Sequence, residues 1–157
     1  MKNFALGLSL LVSLGVSMIG CGDSTSSGCE SGQVSCDGGC IPEADSSLAW
    51  VQTNVFDVHS CAASSCHDGQ NVDPREDLDL RTTQMSYDTL VDVESQQMAP
   101  NSLLVAPNDS SASYLIDKLL GRNLAEGTAL MPSGAVTPLC AAKIDGVRAW
   151  IDAGANP

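Results

Sequence analysis

The stretch from Met1 to Cys21 constrains this chain more than any other part of it. Lys2 gives a short positive start, Phe4 to Val16 is apolar and broken only by small residues, and Ser17 to Gly20 lead to Cys21 with a glycine just before it. That layout is a cleaved export signal, too short and too weakly flanked for a permanent spanning helix. An N-terminal core helix is the alternative, and it fails because no face of the segment is polar enough to meet water. Export then sets the redox rules for the rest. Cys29, Cys36, Cys40, Cys61, Cys66 and Cys140 lie beyond Cys21, and outside a reducing cytoplasm each is expected to be paired or ligated.

The run Met18-Ile19-Gly20-Cys21 resembles the lipobox of bacterial lipoproteins, with Met in the first position where Leu is usual. The resemblance implies that Cys21 is acylated and becomes the first residue of the mature chain, so that lipid attaches the protein to a membrane of the cell envelope. Each buried acyl methylene contributes roughly 0.8 kcal/mol, and several chains together hold firmly. Gly22 rather than Asp follows Cys21, which points to the outer membrane under enterobacterial sorting. The expected organisation is a signal peptide over 1–20, a lipidated tether and cysteine-rich segment over 21–45, and a compact domain over 46–157.

Charge narrows the partners. The formal net charge is −12 with His neutral, and cleavage removes Lys2 as well. Nucleic-acid phosphates would repel such a surface, which suits solvation and a basic protein partner. Aromatic residues make up only 4% of the chain, so a small core here would gain from cross-links or a cofactor. Between 29 and 42, Cys29, Cys36 and Cys40 are spaced C-x6-C-x3-C among glycines. The spacing lacks the paired cysteines and histidines of a zinc site, and disulfides are expected. This segment is also similar to a short cysteine-rich repeat of exported proteins, a likeness that implies no activity.

The compact domain is expected to be all-α, a small helical domain with long loops. Asp45 or Ser46 can cap a first helix over 46–60, with Leu48, Val51, Val55 and Val58 as its apolar stripe. A glycine- and acid-rich loop follows from Asp68 to Asp79, then a short helix over Ser86 to Val93. Asn108-Asp109-Ser110 can cap another helix carrying Tyr114, Leu115, Ile116, Leu119 and Leu120, with Gly121 ending it. Thr137 and Pro138 read as the cap and first residue of the last helix. Its inner face is Ile144, Val147, Trp150 and Ile151, and Gly154 stops it. The first and last helices are expected to cross through these stripes. No strand-like alternation competes.

The chemistry sits in Ser60-Cys61-Ala62-Ala63-Ser64-Ser65-Cys66-His67-Asp68-Gly69. Covalent haem is usually held by C-x-x-C-H, in which two thiols add across the haem vinyl groups and the adjacent histidine reaches the iron. Here the spacing is C-x4-C-H, a longer variant. A disulfide is the other reading, joining Cys61 to Cys66 or one of them to Cys140. A c-type cytochrome also needs a helix before the motif, a sixth ligand from a later loop and a C-terminal helix, and all three stand in order. Met131 lies in an irregular segment with Pro132 and Gly134, where its sulfur could reach iron; His/Met ligation raises the potential. Met85 and Met98 are weaker candidates. His59 lies two residues before Cys61, poorly placed to reach the opposite haem face.

Cys-His-Asp-Gly at 66–69, Asp77-Leu78-Asp79-Leu80, Ser113 to Leu119, Met131-Pro132 and Trp150 to Ala155 occur in this order. Together they resemble the cytochrome c-like domains of exported planctomycete and myxobacterial proteins. The resemblance covers about 46 to 155. It implies one haem c per chain, with Cys61 and Cys66 as thioether sites and His67 and Met131 as iron ligands. The implied protein is a lipid-anchored electron carrier with a redox partner and no catalytic residues. A disulfide-stabilised binding or structural lipoprotein without haem stands as the alternative. Ser, His and Asp are present, but no G-x-S-x-G elbow points to a hydrolase.

Overall fold

The computed structural model describes residues 28–70, 77–98 and 102–157. Cys21 and the expected export signal lie outside the described residues. The chain begins with a hairpin of β1 (Gln33–Cys36) and β2 (Gly39–Pro42), paired antiparallel from Gln33 opposite Pro42 to Cys36 opposite Gly39. Its two-residue turn is Asp37-Gly38, and both residues take positive φ, 53° and 82°. That is the type I′ geometry whose twist matches the flanking strands. The all-α expectation is therefore corrected: the described chain is a small mixed fold, four short α-helices with a two-stranded antiparallel sheet. Asp-Gly between short runs was the available signal, outweighed by the density of cysteine and glycine around it.

Ser47, rather than Asp45 or Ser46, caps α1 (Leu48–Val51), its hydroxyl accepting from the Trp50 N–H at 3.0 Å. Asp45 instead accepts from the Ser47 backbone and hydroxyl. Helix α1 then widens into a π-helical stretch over Gln52–Asp57, whose wide turn is extended by Cys61 N–H donating to the Phe56 carbonyl at 2.9 Å. The extra residue per turn rotates the apolar stripe. Leu48, Val51 and Val55 are buried as expected, but Phe56 takes the next inward place and Val58 is 61% exposed. A period of 3.6 residues cannot anticipate that shift.

The second helix, α2 (Thr83–Leu90), starts earlier than Ser86 because the Thr82 hydroxyl accepts from the Met85 N–H. Asp109 caps a 3-10 turn over Ser110–Ala112, and α3 (Tyr114–Leu120) follows it, ending at Gly121 in the left-handed region with φ 66°. The last helix, α4 (Ala141–Asp152), begins beyond Thr137 and Pro138, with Cys140 in the cap position. A disulfide from Cys140 to Cys36 and the packing of Leu139 on the core set its entry point instead of a capping hydroxyl. Among the described residues no helix is long and apolar enough to cross a membrane.

Helices α1 and α4 pack together. Val147, Trp150 and Ile151 on α4 are fully buried with Leu48 and Val51 of α1 and Val55 of the π-helical stretch. The Trp150 indole N–H donates to the Asn156 carbonyl at 2.8 Å, and the Trp50 indole N–H to Pro42 at 3.2 Å. The approach is close because α4 carries Gly146, where a Cβ would fall inside the Trp50 ring. Gly146→Ala is expected to force that ring aside and to destabilise the domain by about 1–3 kcal/mol, although alanine is the better helix former. Urea unfolding measures it; a variant as stable as the parent would show that the crossing is looser than described.

Two disulfides brace this arrangement. Cys29–Cys40 ties the lead-in residue to β2, and Cys36–Cys140 ties β1 to the start of α4. Cys61 and Cys66 take part in neither. Cys29, Cys36 and Cys40 are thus all in disulfides, as expected, and Cys140 is bonded to Cys36 rather than to Cys61 or Cys66.

Candidate functional site

The segment after the π-helical stretch folds back on itself. Ala63 N–H donates to the Ser60 carbonyl, Cys66 N–H to Ala63, and His67 N–H to Cys61 at 2.9 Å. These bonds leave Ala63, Ser64 and Ser65 exposed and bring Cys61 close to His67 along the backbone. The longer spacing between the cysteines is absorbed by an outward loop. Residues 67–69 then pair with 78–80: Leu80 N–H donates to the His67 carbonyl at 2.9 Å and Gly69 N–H to Leu78 at 3.0 Å, around an Asp68–Asp79 bridge. Gly69 has φ 66°, and a Cβ there would lie 2.8 Å from the Asp79 carboxylate, so position 69 needs glycine.

A buried polar chain holds this ladder to the first helical segment. Gln52 donates to the Leu80 carbonyl at 2.9 Å and accepts from the Ser86 hydroxyl at 2.8 Å. Both side chains are buried, where such groups persist only when hydrogen-bonded. The sequence offered no sign of them, because Gln and Ser are ordinary surface residues.

Cys61, Cys66, His67 and Met131 all line one cavity of about 610 Å³. Its walls include Val55, Phe56, Leu80, Leu90, Leu119 and Leu139, and its size falls within the range of small-molecule and cofactor sites. Close-packed interiors do not leave such spaces as packing faults. Met131 is half-buried in the irregular loop between α3 and α4, its N–H donating to the Lys118 carbonyl at 2.9 Å. The Met131–Pro132 peptide bond is cis. The Tyr114 hydroxyl steadies the same loop by accepting from Ala125 N–H. Met85 lies exposed on α2, and neither it nor Met98 lines the cavity.

Burial pushes the Cys61 thiol up to about 11, and Cys66 and Asp57 add to the rise. At neutral pH Cys61 is a protonated thiol, a poor candidate for thiolate nucleophile or hard-working redox cysteine. The Nδ1 of His67 is shut off from water. His59 also borders the cavity, but its Nε2 meets the Lys143 ammonium at 2.8 Å, and Lys143 pairs with Asp37 of the hairpin at 3.2 Å. Burial first and the Lys143 charge second hold the His59 pKa below the usual histidine value, against the pull of Asp37. An ammonium can only donate, so that nitrogen is engaged as an acceptor. Lys118, on α3, is 9% exposed and also faces the cavity; burial lowers its pKa. By residue type and position alone it is indistinguishable from an ordinary helical lysine.

Among the described residues, Cys36, Asp37 and Cys140 lie close enough together to hold a metal, but their two sulfurs are bonded to each other. Acidic side chains gather elsewhere: Asp77, Asp88 and Glu94 are exposed and border the cavity. No protein-family model, curated protein or solved structure matches the chain.

Proposed function

We propose that this protein is an electron carrier holding one covalent haem, attached to a membrane of the cell envelope, with the outer membrane favoured, through lipid on Cys21. The anchor rests on the sequence around Cys21 alone. The haem site rests on one observation: a thioether, an imidazole and two cysteines outside the disulfides border a single, largely apolar cavity.

The donor set fits the group. His67 would give an imidazole nitrogen and Met131 a thioether sulfur to iron, the pairing that favours the reduced state. The Cys61 and Cys66 thiols would each add S–H across one vinyl double bond, the sulfur going to one carbon and the hydrogen to the other. Nothing leaves and nothing is oxidised in that addition. A bound haem would supply an iron that gains and loses single electrons. Leucine and valine side chains supply apolar wall for the ring, and the exposed acids at its edge with the net charge of −12 suit a basic redox partner.

The test is the intact mass and absorption spectrum of the chain exported in cells that carry a haem-ligation system. The expected product starts at an acylated Cys21, carries one haem mass on the peptide holding Cys61 and Cys66, and shows a haem spectrum. A chain of native mass without haem, with Cys61 and Cys66 cross-linked to each other, overturns the electron carrier and leaves a disulfide-stabilised binding or structural protein.

A further inference from the structure

Lys118 stands out among the cavity residues. It is nine-tenths buried, and among the described residues its ammonium makes no hydrogen bond or ion pair. Among the described residues no other lysine or arginine lines the cavity. The stem is covered while the ammonium opens to the cavity; an apolar ring filling that space would cut it off from water, and an ammonium removed from water without a counter-charge is costly, so a ligand that brings its own anion there is favoured. The backbone explains why it stays in place: the Lys118 carbonyl receives the Met131 N–H at 2.9 Å, which ties α3 to the loop bearing the sulfur. Among the described residues the acids bordering the cavity, Asp77, Asp88 and Glu94, are exposed, and none is paired with Lys118.

We propose that Lys118 is an anion subsite inside the cavity that receives a carboxylate of the bound group. The proposal rests on the haem reading, since haem carries two propionate carboxylates on an otherwise apolar ring. A charge-assisted hydrogen bond in a half-enclosed site of this kind discriminates a charged ligand from its neutral ester by about tenfold to a hundredfold.

The experiment titrates the full chain, purified without haem, with haem and separately with haem dimethyl ester, following absorbance and the fluorescence of Trp50 and Trp150. The parent is expected to bind haem about tenfold to a hundredfold more tightly than the ester. Lys118→Met, which keeps the stem and removes the charge, is expected to bind the two alike, and Lys118→Arg to restore the preference. Thermal unfolding of the haem-free chain supplies a second readout: Lys118→Met should melt no lower than the parent, because the ammonium makes no hydrogen bond or ion pair among the described residues that the change could remove. Equal binding of haem and ester by the parent, or a preference that survives in Lys118→Met, overturns the subsite and leaves the haem reading intact. Failure of the parent to bind either compound overturns both.

Discussion

Removal of the Cys36–Cys140 disulfide by the double change Cys36→Ala and Cys140→Ala is expected to destabilise the haem-free domain by about 4–5 kcal/mol, because a closed loop of this length strongly restricts the unfolded chain. The two cysteines are 104 residues apart, so the bond closes nearly the whole described domain. Cys29 and Cys40 are 11 residues apart, and their removal is expected to cost less, roughly 3 kcal/mol or below. The larger loss also has a native-state component. The disulfide fixes where α4 begins and holds Asp37 against the buried Lys143, which in turn holds His59 at the cavity edge. Urea unfolding of both double variants beside the parent decides it. Equal losses from the two pairs would mean that the hairpin is only an appendage to the helices.

The second large effect concerns the proposed iron ligands. On the haem proposal, His67→Ala in protein matured with haem is expected to abolish a stable product, since the residue that follows the proposed thioether sites would be lost as an iron ligand. Met131→Ala is expected to retain covalent haem through Cys61 and Cys66 but to lower its potential by on the order of 100 mV, because axial ligation is a main control of that quantity. Redox titration of the parent and of Met131→Ala, with haem content measured for all three chains, separates the roles. An unchanged potential in Met131→Ala would remove Met131 from the site and leave the sulfur as wall. Equal haem yield in His67→Ala would show that the histidine serves the backbone ladder to Leu80 alone.

These expectations draw on different depths of information. Local pattern carried the helical part of the fold some distance. The spacing of Ile144, Val147, Trp150 and Ile151 places one buried face on α4, and all four are buried. Gly121 ends α3 because it alone among its neighbours takes a left-handed conformation without cost. Cysteine content and export logic led to disulfides, and two are present. The hairpin is hard to read from the sequence although Asp37-Gly38 is a strong turn pair, because its strands are only four residues each, too short for an alternating pattern to stand out.

Residue type and spacing are local properties, and they were enough to nominate Cys61, Cys66, His67 and Met131 and to give α4 its buried face. Partner choice is not local. Cys140 could have bonded to any of the other cysteines until packing set β1 against the start of α4. Val58 belongs to the stripe by number and to solvent in the fold, because the π-helical stretch adds a residue per turn that no helical period records. Gln52, Ser86 and Lys118 read as surface residues and are buried, since burial depends on what the rest of the chain lays over them. The cavity is decided at the same level: it is the space left between the stretch bearing Cys61 and His67, the residues around Leu80 and Leu90, α3 and the loop bearing Met131, and only the tertiary structure brings these together.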